Sequence, residues 1–202
     1  MQKSFKNSKK LRIGIDFDNT IVDYKIPINI LLKKNKIKKK VSNKQQAKKL
    51  IIKKFGIKFW TIQQSILYGK LIEKAQTFEN CKKILWKLKK EYKLSLISHK
   101  TKFPYLGKKF PLHKKSFQWL KKQKIIGKNK IFDLRDVYFE TTIKKKIRRI
   151  KKVKCDIFID DLESILSLIP SKIKRIKYGS KSKIYKYAIN WEKIPRAIND
   201  YK

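Results

Sequence analysis

Three short apolar runs in this chain each end on a polar side chain: LRIGI (Leu11–Ile15) runs into Asp16, KLSLIS (Lys93–Ser98) ends at Ser98, and CDIFID (Cys155–Asp160) ends at Asp160. A compact apolar run bounded in this way reads as a strand buried on both faces. DVYFE (Asp136–Glu140) and KIKRIKYG (Lys172–Gly179) read as two more strands. Between them lie segments with apolar residues three and four apart, the spacing of a helix with one buried face. These are CKKILWKLKKEY (81–92), HKKSFQWLKKQKI (113–125), TIKKKIRRIKKV (142–153), the short ESILSLI stopped by Pro170, and a closing AINWEKIPRAIND (188–200). In the third of these, Ile143, Ile147 and Ile150 share one face. Residues 25 to about 76 are helical in pattern throughout.

Strands alternating with helices predict an α/β fold with a mostly parallel sheet flanked by helices. Such sheets bind ligands at the carboxyl ends of their strands, near the switch in strand order. Asp16, Ser98 and Asp160 all stand at that end, so three strands would deliver polar groups to one crevice.

Acids are scarce, at 15 Asp and Glu against 56 Lys and Arg, for a net charge of +41. Yet Asp16 and Asp18 sit two apart, and Asp160 and Asp161 are adjacent. Each alone is explained by a turn or a helix cap. Four carboxylates in one crevice would repel and raise one another's pKa unless a cation sat among them. Oxygen donors without His or Cys suit Mg²⁺.

The basic charge suggests nucleic acid or another anionic partner. However, the cations are 50 Lys and only 6 Arg, spread along the chain instead of gathered in a block. Readers of phosphate and base edges favour the Arg fork. Nucleic acid is therefore not the favoured partner. Cys81 and Cys155 form no C-x-x-C pair, which disfavours a disulfide or thiolate metal site. The start, MQKSFKNSKK, lacks the apolar stretch of a secretory signal, and no run is long enough to span a bilayer. A cytoplasmic protein is expected.

These residues carry a resemblance to the haloacid dehalogenase (HAD) superfamily of phosphohydrolases. DFDNT (16–20) resembles its first motif, D-x-D-x-T. SLIS, ending at Ser98, resembles the second, and IFIDD, ending at Asp161, the fourth. Lys146, in FETTIKKKIRRI, matches the third-motif lysine. The resemblance covers about residues 11 to 165, and the motifs stand in the family's order.

The resemblance implies a Rossmann-like core and a Mg²⁺-dependent phosphatase acting on a small phosphorylated metabolite, such as a sugar phosphate or nucleotide. Asp16 would be the nucleophile and Asp18 the acid and base. Asp16, Asp18 through its backbone carbonyl, Asp160 and Asp161 would hold the metal. Ser98 and Lys146 would bind the phosphoryl group, and Thr20 would support the motif loop by hydrogen bonding. His99 is a further candidate for substrate contact, or a surface-loop histidine. Lys144, Lys145 and Lys146 are consecutive, and helical spacing places Lys146 nearest the apolar stripe. In the family a helical cap is inserted after the first motif. Residues 25–75 occupy that place, leaving 1–24 and 76–202 as the core. Phe55, Phe59, Trp60 and Tyr68 either face substrate there or build the cap's own core. A nucleic-acid end phosphatase and a non-catalytic binding protein on the same scaffold are the alternatives.

Overall fold

The computed structural model describes residues 10–201. The reading of the basic start, and the outermost ends of the expected core, fall on residues 1–9 and 202, outside that range. The chain opens with β1 (Arg12–Ile15) and a tight loop into β2 (Val22–Asp23). Two helices follow, α1 (Lys25–Lys34) and α2 (Lys44–Ser65). Asn43 caps α2, its side chain accepting from the Gln46 amide at 3.0 Å. Gly56 breaks the regular path of α2 with φ 81° and ψ 169°, a left-handed φ that suits glycine. A π-helical turn (Ile66–Lys70) and a 3-10 turn (Leu71–Lys74) lead to β3 (Gln76–Thr77). β3 pairs antiparallel with β2, Val22 opposite Thr77 and Asp23 opposite Gln76. The helical segment thus leaves and rejoins the rest of the chain through one short two-stranded ribbon.

Strand and helix then alternate as expected: α3 (Cys81–Glu91), β4 (Lys93–His99), α4 (Leu112–Lys122), β5 (Val137–Glu140), α5 (Ile143–Lys152), β6 (Ile157–Asp160), α6 (Glu163–Leu166) and β7 (Lys174–Tyr178). The chain closes with β8 (Lys186–Ala188), a 3-10 turn (Trp191–Lys193) and α7 (Ile194–Asn199). The six-stranded sheet has the order β5-β4-β1-β6-β7-β8, with every pairing parallel. β1 lies between β4 and β6, so chain order reverses direction across it. That reversal opens a crevice at the carboxyl ends of β1, β4 and β6.

The expected closing helix over 188–200 is half right. Ala188 completes a sixth strand that periodicity did not reveal, because β8 is only three residues long and two of them are exposed. The expected apolar face of α5 is also narrower. Ile150 is fully buried and Ile147 partly so, but Ile143 is exposed at the rim of the crevice.

The main hydrophobic cluster joins Ile13 and Ile15 of β1 to Ile28 and Leu31 of α1, Ala47, Ile51 and Trp60 of α2, and Leu67 of the π turn. The Trp119 indole of α4 donates to the Ala75 carbonyl at 3.0 Å, tying the end of the helical segment to the sheet layer. Cys81 and Cys155 are free and buried. Among the described residues, no helix is long and apolar enough to cross a membrane.

β1 has no slack. A methyl group on Gly14 would stand 2.5 Å from the Phe158 ring and 2.8 Å from the Cys155 sulfur. Gly14→Ala should therefore destabilise the fold by about 1–3 kcal/mol through overpacking. A urea midpoint unchanged from wild type would show that the interior there is looser than described.

Candidate active site

β1 carries the chain straight into the crevice. The Asp16 amide still donates to the Ile159 carbonyl at 2.9 Å, prolonging the β1–β6 ladder by one bond. Sheet geometry thereby sets Asp16 beside the end of β6. After Phe17 the chain turns, with Asn19 at φ 57° and the Asn19 amide bonded to the Val22 carbonyl at 3.1 Å. The turn brings Asp18 back over the crevice.

Asp16, Asp160 and Asp161 each offer a carboxylate oxygen within 4.8 Å of the others. Lys146 Nζ sits between two of them, 2.6 Å from Asp16 Oδ1 and 2.6 Å from Asp160 Oδ2. Thr142 caps the helix that delivers it, accepting from the Lys145 amide at 3.1 Å. Of the three consecutive lysines only Lys146 is buried, at 2% exposure; Lys144 and Lys145 face solvent. Asp160 Oδ1 also accepts from the Leu162 amide at 2.9 Å.

Electrostatics within this group are opposed. Burial disfavours the charge on Lys146, but Asp16 and Asp160 outweigh it and hold the ammonium above its ordinary range. Burial pushes the Asp160 carboxyl up; Lys146 pulls it back and Asp16 pushes it further. Asp161 is pushed up by burial and then by the charges of Asp16 and Asp160. One ammonium thus contacts two of three crowded carboxylates, Lys44 eases Asp161 from further away, and a further cation would relieve the remaining repulsion. The donor set is all carboxylate, which fits a hard divalent ion such as Mg²⁺.

Asp18 stands apart from that cluster. Lys100 Nζ donates to its Oδ2 at 2.7 Å, and the Tyr24 hydroxyl donates to its Oδ1 at 2.5 Å. The side chain therefore does not join the three clustered carboxylates. Lys100 is buried, with its ammonium 4.9 Å from the Tyr68 ring centroid and 5.3 Å from that of Phe17. The His113 ring meets the Lys100 carbonyl at 2.7 Å and pins the segment after β4.

Asp16, Asp18, Lys100, Lys146, Asp160 and Asp161 line one cavity of about 320 Å³, together with Ser98 and His99. Ser98 is buried at the carboxyl end of β4. His99 is half-buried, and burial lowers its pKa. The helical segment contributes Lys44, Thr61, Gln64 and Tyr68 to the walls. Tyr68 packs edge-on against Tyr24, with ring centroids 5.4 Å apart. The other three aromatics named above do not line the cavity. Trp60 is buried in the core, and Phe55 and Phe59 pair with each other.

Thr20 departs from its expected role. It is fully buried, does not line the cavity, and its hydroxyl has no hydrogen-bond partner among the described residues. The loop is tied instead through the Thr20 carbonyl, which accepts from the Trp191 indole at 2.9 Å. The side chain is packed inside the motif turn, out of reach of the crevice.

Sequence reasoning gave no role to Tyr24, Lys44 or Lys100, and held Tyr68 only as one of four aromatics that face substrate or build the cap's own core. A signal for Lys100 existed. In an extended segment, residues two apart point the same way, so a site residue at Ser98 draws attention to Lys100. For Tyr24 and the residues of the helical segment, nothing in the spacing announces the contact.

The architecture is that of the HAD-superfamily hydrolases. The putative HAD-hydrolase YfnB from Bacillus subtilis, bound to magnesium, superposes with a TM-score of 0.58 over 95% of this chain and 99% of its own, at 12% identity. A HAD-superfamily hydrolase from Ehrlichia chaffeensis gives 0.53 over 95% and 97%, at 16% identity. A predicted phosphoglycolate phosphatase from Haemophilus somnus gives 0.50 over 94% and 97%, at 15% identity. No family model matches the sequence, and no curated protein does.

Proposed function

We propose that this chain is a Mg²⁺-dependent phosphatase that hydrolyses a small phosphomonoester by way of a phosphoryl group carried on Asp16. The observation that carries the reading is the Lys146 ammonium, 2.6 Å from both Asp16 and Asp160, beside a third clustered carboxylate, Asp161. The magnesium bound by the Bacillus protein and the predicted phosphatase activity of the Haemophilus one support it.

Asp16, Asp160 and Asp161 would hold the ion, with the Asp18 carbonyl as a further oxygen donor. When bound, Mg²⁺ supplies the positive charge that lets a carboxylate approach a phosphate dianion. An Asp16 oxygen attacks phosphorus, and the bond from phosphorus to the leaving oxygen breaks. Asp18 delivers a proton to that oxygen, drawing it from the Lys100 ammonium that donates to its Oδ2. It then takes a proton from the water that splits the Asp16–phosphorus bond and releases phosphate. Lys100 and Tyr24 each grip one Asp18 oxygen and keep it aimed. Ser98 donates to a phosphoryl oxygen, and Lys146 offsets the charge that builds on the transferred group.

Residues 25–75 act as the cap over this chemistry, on a core formed by 10–24 and 76–201. The paired ribbon of β2 and β3 is their shared root. A cover of this kind excludes water and selects the leaving group. A cavity of about 320 Å³ lies at the small end of ligand sites, roughly 300–1,000 Å³, and favours a metabolite over a polymer end.

The test is turnover of p-nitrophenyl phosphate and of a nucleotide and sugar-phosphate panel, with Mg²⁺ and with EDTA. Turnover is expected only with Mg²⁺. Absence of any turnover in Mg²⁺ would overturn the reading. Binding should also show in stability. At Mg²⁺ one hundred times its Kd, the folded state gains about 2.7 kcal/mol, visible as a higher Tm than in EDTA.

A further inference from the structure

We infer that Lys44 is a subsite for a second negatively charged group on the substrate, a carboxylate or a second phosphate carried by the leaving-group portion. This rests on the phosphatase reading above. It adds a class: phosphomonoesters that are anionic at both ends.

Among the described residues three lysines line the cavity, and their partners differ. Lys146 is matched by Asp16 and Asp160, and Lys100 by Asp18. Lys44 is partly buried, and its ammonium donates to the Tyr68 hydroxyl at 3.0 Å. Among the described residues, no carboxylate lies within ion-pairing distance of it. A phenol accepts a hydrogen bond but cancels no charge. Asp161 and Asp18 act on Lys44 only from beyond ion-pairing distance, and a partly desolvated ammonium that faces a cavity without a direct ion pair is a ready anion site.

The position is built. Tyr68 is wedged edge-on against Tyr24, and its ring lies under the Lys100 ammonium, so the oxygen that orients Lys44 is held. Lys44 also enters from the first turn of α2, on the helical segment, whereas Asp16, Ser98 and Asp160 enter from strand ends. A phosphoryl group at Asp16 leaves the rest of the substrate to extend toward α2. Magnesium would occupy the carboxylates nearest to it in the crevice, and Lys44 would then be the lining cation still unmatched.

Matched substrates test this. Glycerol 3-phosphate and 3-phosphoglycerate differ by a carboxylate. Glucose 1-phosphate and glucose 1,6-bisphosphate differ by a phosphate. In wild type with Mg²⁺, at least one pair should favour the doubly anionic member in kcat/KM by about 10-fold or more, as a charge-assisted hydrogen bond provides. Lys44→Met should shrink that ratio to about 2-fold, mainly through KM, while Lys44→Arg keeps most of it. Lys48→Met, on an exposed position of the same helix, should leave the ratio alone and so exclude the general +41 field.

Calorimetric titration of Asp16→Asn protein, with and without Lys44→Met, should show the same ratios in Kd. Ratios near one in wild type, or ratios unchanged by Lys44→Met, overturn the inference. Equal losses for both members of a pair also overturn it, because Lys44 would then hold the transferred phosphoryl group. Failure of the phosphatase reading looks different: no substrate turns over, p-nitrophenyl phosphate included, and the calorimetric ratios still decide whether Lys44 binds the second anion.

Discussion

Asp16→Asn should lower kcat for p-nitrophenyl phosphate by at least about 10⁴-fold, the scale seen when a covalent nucleophile is removed. An amide nitrogen or its carbonyl cannot replace a carboxylate oxygen in attack on phosphorus. The same substitution should not cost stability. Asp16 is one of three clustered carboxylates with a single ammonium in direct contact, and Asp160 and Asp161 already sit above the ordinary carboxylate range because of burial and that crowding. Removing one charge relieves repulsion, and the amide oxygen can still accept from Lys146. In EDTA the variant should therefore unfold at the same urea concentration as wild type, or a higher one. The combination matters: a dead enzyme with an unimpaired fold is the mark of a group kept for chemistry at some expense of stability. Turnover within tenfold of wild type would remove Asp16 from the role of nucleophile.

Legibility in the sequence followed the physics of each element. Strands buried on both faces leave continuous apolar runs, and LRIGI, KLSLIS and CDIFID were readable for that reason. Their polar stops were readable only together, because a turn or a cap explains each one alone, whereas several at the carboxyl ends of parallel strands converge on one crevice. Lys146 could be separated from its two neighbours because helical spacing alone puts it beside the buried stripe. β8 was not legible, since three residues at a sheet edge carry no period. The β2–β3 ribbon was hidden for the same reason, with two residues on each side. The walls of the cavity were the least legible part. Lys44 and Tyr68 are 24 residues apart and meet only because α2 folds back over the crevice. In a chain with 50 lysines, one more at a helix start carries no signal of its own.

Lys146→Met is expected to destabilise the protein by about 3–5 kcal/mol in EDTA, because it leaves Asp16 and Asp160 buried without their shared counter-charge. For a chain of this length that corresponds to a fall in Tm of roughly 6–20 °C. Methionine fills much of the space of the lysine stem, so the loss reports charge more than packing. Mg²⁺ should return a large part of the lost stability, since a divalent ion among Asp16, Asp160 and Asp161 supplies the missing positive charge. Turnover should not return with it, because the charge that builds on the transferred group still lacks its ammonium. Lys144→Met and Lys145→Met provide the internal comparison. Both side chains face solvent, and each change should stay within about 0.5 kcal/mol of wild type. The measurement is urea unfolding of the three variants with and without Mg²⁺, alongside kcat. If all three behave alike, the buried ammonium between Asp16 and Asp160 does not organise this site, and the mechanism built on it fails.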